Sequence, residues 1–533
     1  MKLLDNEVQQ FFQQIKLSKT KREISLSFLN QILLNTAQYI PWQNITMINS
    51  GLGVIPTNQV IKNNLLLGYG GICLDINRFF FHFLKKLGFN VQRILCGREN
   101  KDKRHLALIV YFDDVPFFVD PGDAQPYYQA LNINSTNILY RGIYDYRIER
   151  KHNVYHLMRR DKDKWKPLYI FDLSVCTTNE IEIITQKYYT DVFFSHFWKR
   201  LYFAYYPNKE LKAIIGDTIL IDKKGAINKI KRSTENKGDL SLNKYFQQEI
   251  LSKFQFTSSI DKLNKINLKE RFGLYISNKE LTVFLNDIGI NNIEQNLSFI
   301  QTLIESVLAN LPFQNYKMIE RGFGHIPTEK NIKADMLSLN GGTCATMNIF
   351  IGAILYRIGF DVALINGSMS VINDHIALIL NYNNERYIID VGDGQPYFQP
   401  FPINKEIVVK HPFRTYRTVI TDNKLRIDFL INEEWKKDVE YVTFPRTYSQ
   451  VHRTIKQHYT KADYGPFWKG VRFAIYPNKE IIAFRDNTII VQKNNLILRE
   501  NIKDFDALIL LIDQYIPQFK DQLLSCFKTL KVL

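Results

Sequence analysis

Apolar positions recur at helical spacing through SLSFLNQILLNTAQYI near the start of the chain, and again through LSFIQTLIESVLAN at residues 297–310. A third run of this kind, CLDINRFFFHFLKKLGF, predicts a helix that starts at Cys73. Its apolar face is Phe80, Phe83, Leu84 and Leu87, and Gly88 is its stop. The same pattern predicts a helix from Cys344 to about Ile358, ended by Gly359. After each of these helices the period changes. HLALIVYF at 105–112 and VPFFVD at 115–120 are short apolar runs that predict strands, and Asp113-Asp114 between them predicts a hairpin turn. His375–Tyr382 and Arg386–Asp390 flank Asn383-Asn384 in the same way. Helices first, then a buried helix, then alternating strands and a closing helix make an α+β organisation.

The pattern is written twice. PWQN, with Pro41 and Asn44, answers LPFQN, with Pro312 and Asn315, and Ile55-Pro56-Thr57 answers Ile326-Pro327-Thr328. QPYYQA at 125–130 matches QPYFQP at 395–400, and FWKRLYFAYYPNKE matches FWKGVRFAIYPNKE. The offset stays at 270 or 271 throughout, so the chain is a tandem duplication of two domain-sized copies. The reading assigns residues 1–260 to the first copy and 261–533 to the second, with TSSIDKLNKINLKE as the linker and SLNKYFQQEILSKF as a closing helix. FDALILLIDQYIPQFKDQLLSCFKTL closes the second copy as a helical stretch.

Length and composition agree with this organisation. A chain of 533 residues exceeds one hydrophobic core, and 45% hydrophobic residues exclude whole-chain disorder. No run of about 18 uncharged apolar residues predicts a membrane span, and MKLLDNEVQQFFQQIK lacks a signal-peptide core, so a cytoplasmic protein is expected. The net charge of +16 follows from base composition, which makes Lys, Asn and Ile abundant together. A basic field of this size can also hold nucleic acid, an anionic membrane surface or acidic partners such as CoA and carrier proteins. The charges are scattered and no nucleic-acid motif accompanies them, so neither nucleic acid nor membrane is expected as a partner. GLGVIPT at 51–57 is not a phosphate loop, and no metal-ligand spacing is visible. The aromatic stripe Phe79–Phe83 reads as core.

The repeat also sorts the chemistry. Of five cysteines only Cys73 and Cys344 fall in register, and of ten histidines only His105 and His375. An aspartate follows each histidine by 15 residues, Asp120 and Asp390. A thiol beside an imidazole oriented by a carboxylate is a nucleophile constellation. Each cysteine stands in the first turn of a helix, where unpaired N–H groups favour a thiolate. Gly70 and Gly71, like Gly341 and Gly342, clear side chains from the approach to that sulfur and to N–H groups that could bind an oxyanion.

These residues resemble the arylamine N-acetyltransferase family, whose pattern runs R-G-G-x-C-x-E-x-N, then H-x-x-L-x-V, then D-V-G-F-G. PWQN and LPFQN resemble its I-P-F-E-N segment. The resemblance implies, for each copy, a helical bundle, a β-barrel-like middle and an α/β lid on a papain-like core. It also implies Cys73, His105, Asp120 and Cys344, His375, Asp390 as catalytic triads, with no permanently bound cofactor. The thiolate would take an acyl group from acyl-CoA, acetyl-CoA above all, and pass it to an amine in a ping-pong reaction. The sequence departs from the pattern at Tyr69 and Asn340, which replace the arginine, and at Asp75 and Thr346, which replace the glutamate. Asn77 and Asn348 match it. By these departures the first copy is the better match to an active site. Asp123 and Asp393 stand where the family has phenylalanine, and are expected to orient a cationic or polyamine-like acceptor. Alternatives left open are an amide synthase fed by an acyl carrier protein, a hydrolase or protease, and one active copy beside a silent one.

Overall fold

Ser25 and Asn296 start the long helix of each copy: their side-chain oxygens accept the N–H of Phe28 and Phe299 at 3.2 and 2.7 Å. In the computed structural model the helices that follow are Leu26–Tyr39 and Leu297–Asn310. The structure describes residues 1–17, 23–98, 102–125, 128–135, 137–141, 144–161, 164–223, 226–231, 242–411, 414–493 and 496–533. They form two compact units, Met1–Ile266 and Asn267–Leu533.

In the first unit the cysteine helix runs Cys73–Leu87 and ends on Gly88, whose φ of 97° is the left-handed value that a glycine stop supplies. Phe79, Phe80, Phe83 and Leu84 are buried among Phe11, Phe12, Leu108 and Val110, so the aromatic stripe is core. The strands beside it are Asn90–Cys96, His105–Phe112, Val115–Val119 and Leu131–Asn132, in that order in one antiparallel sheet. Asp113 and Asp114 both have positive φ, the two-residue hairpin geometry that matches strand twist. A second sheet holds Leu139–Arg141, Tyr144–Lys151, Val154–Asp161 and Lys164–Phe171, and among the described residues the bridge Gly97–Ile170 connects the two. A third antiparallel sheet orders Trp42–Gln43, Tyr202–Tyr205, Lys212–Ile215, Thr218–Lys223 and Ala226–Lys231.

The second unit repeats the plan with a more continuous sheet. Its cysteine helix is Cys344–Ile358, and Gly359 closes it at φ 111°. His375–Tyr382 and Glu385–Ile389 form the hairpin, beside Asp361–Ser368. Here Gly367–Tyr441 and Ser368–Glu440 pair directly, which fuses the two middle sheets into one of eight strands. The third sheet orders Phe313–Gln314, Arg472–Ile475, Ile482–Arg485, Thr488–Lys493 and Leu496–Asn501. Helices Phe505–Tyr515 and Lys520–Leu530 cover one face of it, packing Leu508, Ile512 and Phe527 on Phe473, Phe484 and Ile489. The single closing stretch read from the sequence is thus two helices, separated at Pro517, which has no N–H to continue the first.

The stretch read as a linker, TSSIDKLNKINLKE, is helical, within Phe256–Phe272. Its few apolar residues sit at helical intervals. Phe256 and Leu263 enter clusters of the first unit, and Leu268 and Phe272 enter the core of the second. Sparse anchors at the right spacing suffice for a helix, which a count of apolar residues misses. The closing helix read at 241–254 is confined to Gln248–Phe254. Pro126 and Tyr127 of the QPYYQA segment, and residues 232–241 of the charged stretch before the closing helix, lie outside the described residues. Among the described residues, no helix is long and apolar enough to cross a membrane.

Candidate active site

The loop before each cysteine is held by the PWQN and LPFQN segments. Gln43 N donates to Gly71 O at 2.9 Å and Gln314 N to Gly342 O at 2.8 Å. Gly70 and Gly341 have φ of 68° and 65°, and a Cβ on either would run into the carbonyl oxygen of Pro41 or Pro312. These two positions therefore need glycine to close the loop against its neighbouring strand. Gly71 and Gly342 face the side chains of Asp75 and Thr346. Asn44 fixes the other end: its amide donates to Phe197 O and Arg200 O and accepts from Tyr202 N. Asn315 makes the same three bonds, to Phe467 O, Gly470 O and Arg472 N.

The hairpin brings histidine and aspartate together. His105 Nε2 lies 2.6 Å from Asp120 Oδ2, and His375 Nε2 lies 2.5 Å from Asp390 Oδ2, with the carboxylate accepting. The Cys73 sulfur neighbours the His105 ring, and the Cys344 sulfur the His375 ring. With Nε2 committed to the aspartate, Nδ1 is the nitrogen left for the sulfur. All six groups are buried. Burial alone would strip the proton from each imidazole. The negative aspartate and the neighbouring sulfur outweigh it, and hold both imidazoles charged well above the ordinary histidine range. The Asp390 carboxyl, for its part, is kept below the usual range in spite of burial, by His375 and by hydrogen bonds from Asn348 and Tyr441. The arrangement can hold a thiolate–imidazolium pair at a helix N-terminus.

Asn77 and Asn348, one turn into each cysteine helix, lock helix to hairpin. Asn77 Nδ2 donates to Leu106 O at 2.6 Å and to Asp120 Oδ1 at 2.7 Å. Asn348 Nδ2 donates to Ile376 O at 2.9 Å and to Asp390 Oδ1 at 2.8 Å. The matching asparagines in the two copies are the signal for this role in the sequence, although their spacing alone does not tie them to the aspartates.

A family profile for N-acetyltransferases matches the chain twice, over residues 25–254 and 296–512. The chain belongs to the arylamine N-acetyltransferase family. Among its relatives, the probable arylamine N-acetyltransferase 2 of Dictyostelium discoideum is 23% identical over 119 residues, 21% of this chain and 40% of that one. This chain thus matches well under two thirds of the length of that curated relative. The solved arylamine N-acetyltransferase from Salmonella typhimurium superposes with a TM-score of 0.41 at 18% identity, covering 46% of this chain and 91% of that one. That of Mycobacterium marinum in complex with CoA gives 0.41 at 17%, covering 47% and 96%.

Set against the family pattern, the two copies brace their sites differently. Asp75, in place of the family's glutamate, accepts from Ile72 N at 3.4 Å and from Tyr189 OH at 2.8 Å. Burial pushes its carboxyl up to about 6, against the pull of Tyr189. Thr346 instead donates to Thr343 O at 3.2 Å, and nearby Arg321 grips Asp335 through two bonds of 2.7 and 2.6 Å. Tyr169 stacks on the His105 ring at 4.4 Å and 10°, whereas in the second unit Tyr441 OH donates to Asp390 Oδ2 at 2.7 Å. The registers are swapped: Val439 answers Tyr169 and Phe171 answers Tyr441. Neither tyrosine was legible beforehand, because each reaches the site from a strand distant in sequence and does so in one copy only.

Asp123 and Asp393 stand beside the histidines. Ligand-capable atoms of His105, Asp120 and Asp123 lie within 4.8 Å of one another, as do those of His375, Asp390 and Asp393. The spacing in sequence concealed this grouping, since the hairpin creates it. In both sets the histidine nitrogen and one aspartate oxygen are already engaged with each other.

Proposed function

We propose that each unit is a cysteine-dependent N-acyltransferase, in which Cys73 and Cys344 carry an acetyl group received from acetyl-CoA and pass it to an amine. The observation that supports this most is the twofold, in-register gathering of thiol, imidazole and carboxylate, with the imidazole held charged. In the first half-reaction the thiolate attacks the thioester carbonyl. A bond forms between cysteine sulfur and acyl carbon, and the donor's own carbon–sulfur bond breaks. The imidazolium proton goes to the departing CoA sulfur. In the second half-reaction the amine attacks the acyl-enzyme, the imidazole takes its proton, and the cysteine is released. First-turn N–H groups beside Gly71 and Gly342 stabilise the oxyanion in both steps. In this reading each unit is a helical first part, a barrel-like middle and an α/β lid on a papain-like core.

The acceptor in this reading is cationic. Asp393 is buried beside His375, and among the described residues neither of its oxygens has a hydrogen-bond partner. Burial first, then the nearby Asp438 and Asp390, raise its carboxyl well above the usual range. A polyamine entering with two neutral amines would take the Asp393 proton on one nitrogen, pair that ammonium with the carboxylate left behind, and present the other, neutral nitrogen to the acyl-enzyme. Asp123 holds the equivalent place in the first unit. Acetylation of a polyamine and an aromatic amine should be compared in the intact protein and in Asp123→Phe with Asp393→Phe. A drop of about tenfold or more in the polyamine-to-aromatic ratio is expected. An unchanged ratio would overturn the cationic acceptor, and acetyl-CoA hydrolysis with no amine product would overturn the transferase.

A further inference from the structure

The third sheet of the second unit turns one face to its helices and the other to a cavity of about 240 Å³. Cross-strand register shows how the cavity is built. Phe313, Ala474, Ala483, Ile490 and Arg499 lie directly opposite one another in a row across the five strands. Arg472, Arg485 and Thr488 form the next row on that face, two residues along each strand. The two alanines leave a low floor, and Arg414 adds a fourth arginine to the lining. Among the described residues, no acidic side chain lines this cavity. Arg472 is paired with Asp486 at 2.6 Å, and Arg414 stacks on the Phe429 ring at 4.5 Å. Among the described residues Arg485 and Arg499 have no carboxylate within ion-pair distance.

The cavity abuts the reacting centre. Its wall includes Phe313, Gly394 and Gln395, and the loop carrying the last two begins at Asp390. In that loop a Cβ on Gly392 would lie 2.6 Å from Cys344 Cα, and one on Gly394 would lie 2.9 Å from the Phe313 ring. Tyr476 OH pins the loop by donating to Gly394 O at 2.6 Å. The first unit has the same floor, in Ala204 and Ala213, but a different rim. Tyr144, Tyr202, Ile215 and Lys229 answer Arg414, Arg472, Arg485 and Arg499.

We propose that this four-arginine cavity is a phosphate site that anchors the phosphate-bearing part of the acyl donor for Cys344, and that Cys73 has no equivalent anchor. Guanidinium forks match phosphate oxygens two at a time, and several of them around a small-residue floor select a multiply charged group. The proposal rests on the acyltransfer reading, since it assigns the donor's anionic portion to a place beside the cysteine. It predicts that the two cysteines of one chain discriminate differently between phosphorylated and phosphate-free donors.

Peptide-level mass spectrometry of the full chain can follow acetylation of Cys344 and Cys73 separately, with acetyl-CoA and with S-acetyl-pantetheine, which has no phosphate. In Arg485→Gln with Arg499→Gln, the preference of Cys344 for acetyl-CoA should fall about tenfold or more, while that of Cys73 stays as it was. Equal loss toward both donors, or no loss, would overturn the proposal. In the unsubstituted protein, inorganic pyrophosphate should slow acetyl-CoA loading of Cys344 and spare Cys73. Calorimetry should show pyrophosphate binding that disappears in the double variant. Binding without competition would assign the cavity to a free phosphate compound, and would overturn the donor anchor. If neither cysteine is acylated by any donor, the acyltransfer reading fails, while the calorimetry still reports on the phosphate site.

Discussion

Asp393 shows how one side chain can mark a site and weaken the fold at the same time. It is buried, its oxygens find no hydrogen-bond partner among the described residues, and its carboxyl holds a proton well above the usual range because of burial, Asp438 and Asp390. The folded state therefore keeps a proton that the unfolded chain loses near pH 4, so stability falls as pH rises from there through the folded value. Asp393→Asn removes that dependence. The melting temperature of the variant minus that of the original should grow between pH 4 and pH 7, read by calorimetry. A difference that stays flat or shrinks would contradict the buried, protonated carboxyl. The residues proposed to react were legible as letters, because the repeat isolates Cys73, His105 and Asp120 from the other cysteines and histidines. Their supports were less so. Tyr169 on His105 and Tyr441 on Asp390 depend on which strands meet, and the swap between copies hides both from a comparison in register.

At the scale of elements, the local signals were strong wherever chain stiffness decides the outcome. Gly88 and Gly359 end their helices, and Asp113-Asp114 and Asn383-Asn384 turn their hairpins through positive φ. The boundary helix Phe256–Phe272 was illegible because its anchors are few and belong to two cores in turn. The glycine loops had a second purpose that spacing alone could not reveal: Gly70 and Gly341 sit on the carbonyls of Pro41 and Pro312. Gly70→Ala combines a disfavoured φ with a collision against backbone, so it should cost about 2 kcal/mol or more in the first unit. Iodoacetamide labelling should show Cys73 changed in rate relative to Cys344 of the same chain. Equal rates before and after substitution would mean that the loop does not position the sulfur.

On the scale of the whole molecule, duplication has kept one framework and varied its fittings. The asparagines of PWQN and LPFQN make the same three bonds, and the hairpins give the same histidine–aspartate contact. The departures fall around them: Asp75 against Thr346, a stacked against a hydrogen-bonded tyrosine, and an arginine rim in the second unit alone. The sequence ranks the first copy as the better match at the cysteine loop. The second unit nevertheless has its own brace in Thr346 and the Arg321–Asp335 pair, which supports the proposal of two working sites with different donors or acceptors. The most direct test is the intact mass of the full chain after exposure to excess acetyl-CoA without an amine. Two acetyl groups are expected on the original protein, one each on Cys73→Ala and Cys344→Ala, and none on the double variant, with all label released on adding the amine acceptor. Acetyl groups that remain on the double variant, or an original protein that takes up none, would contradict the account.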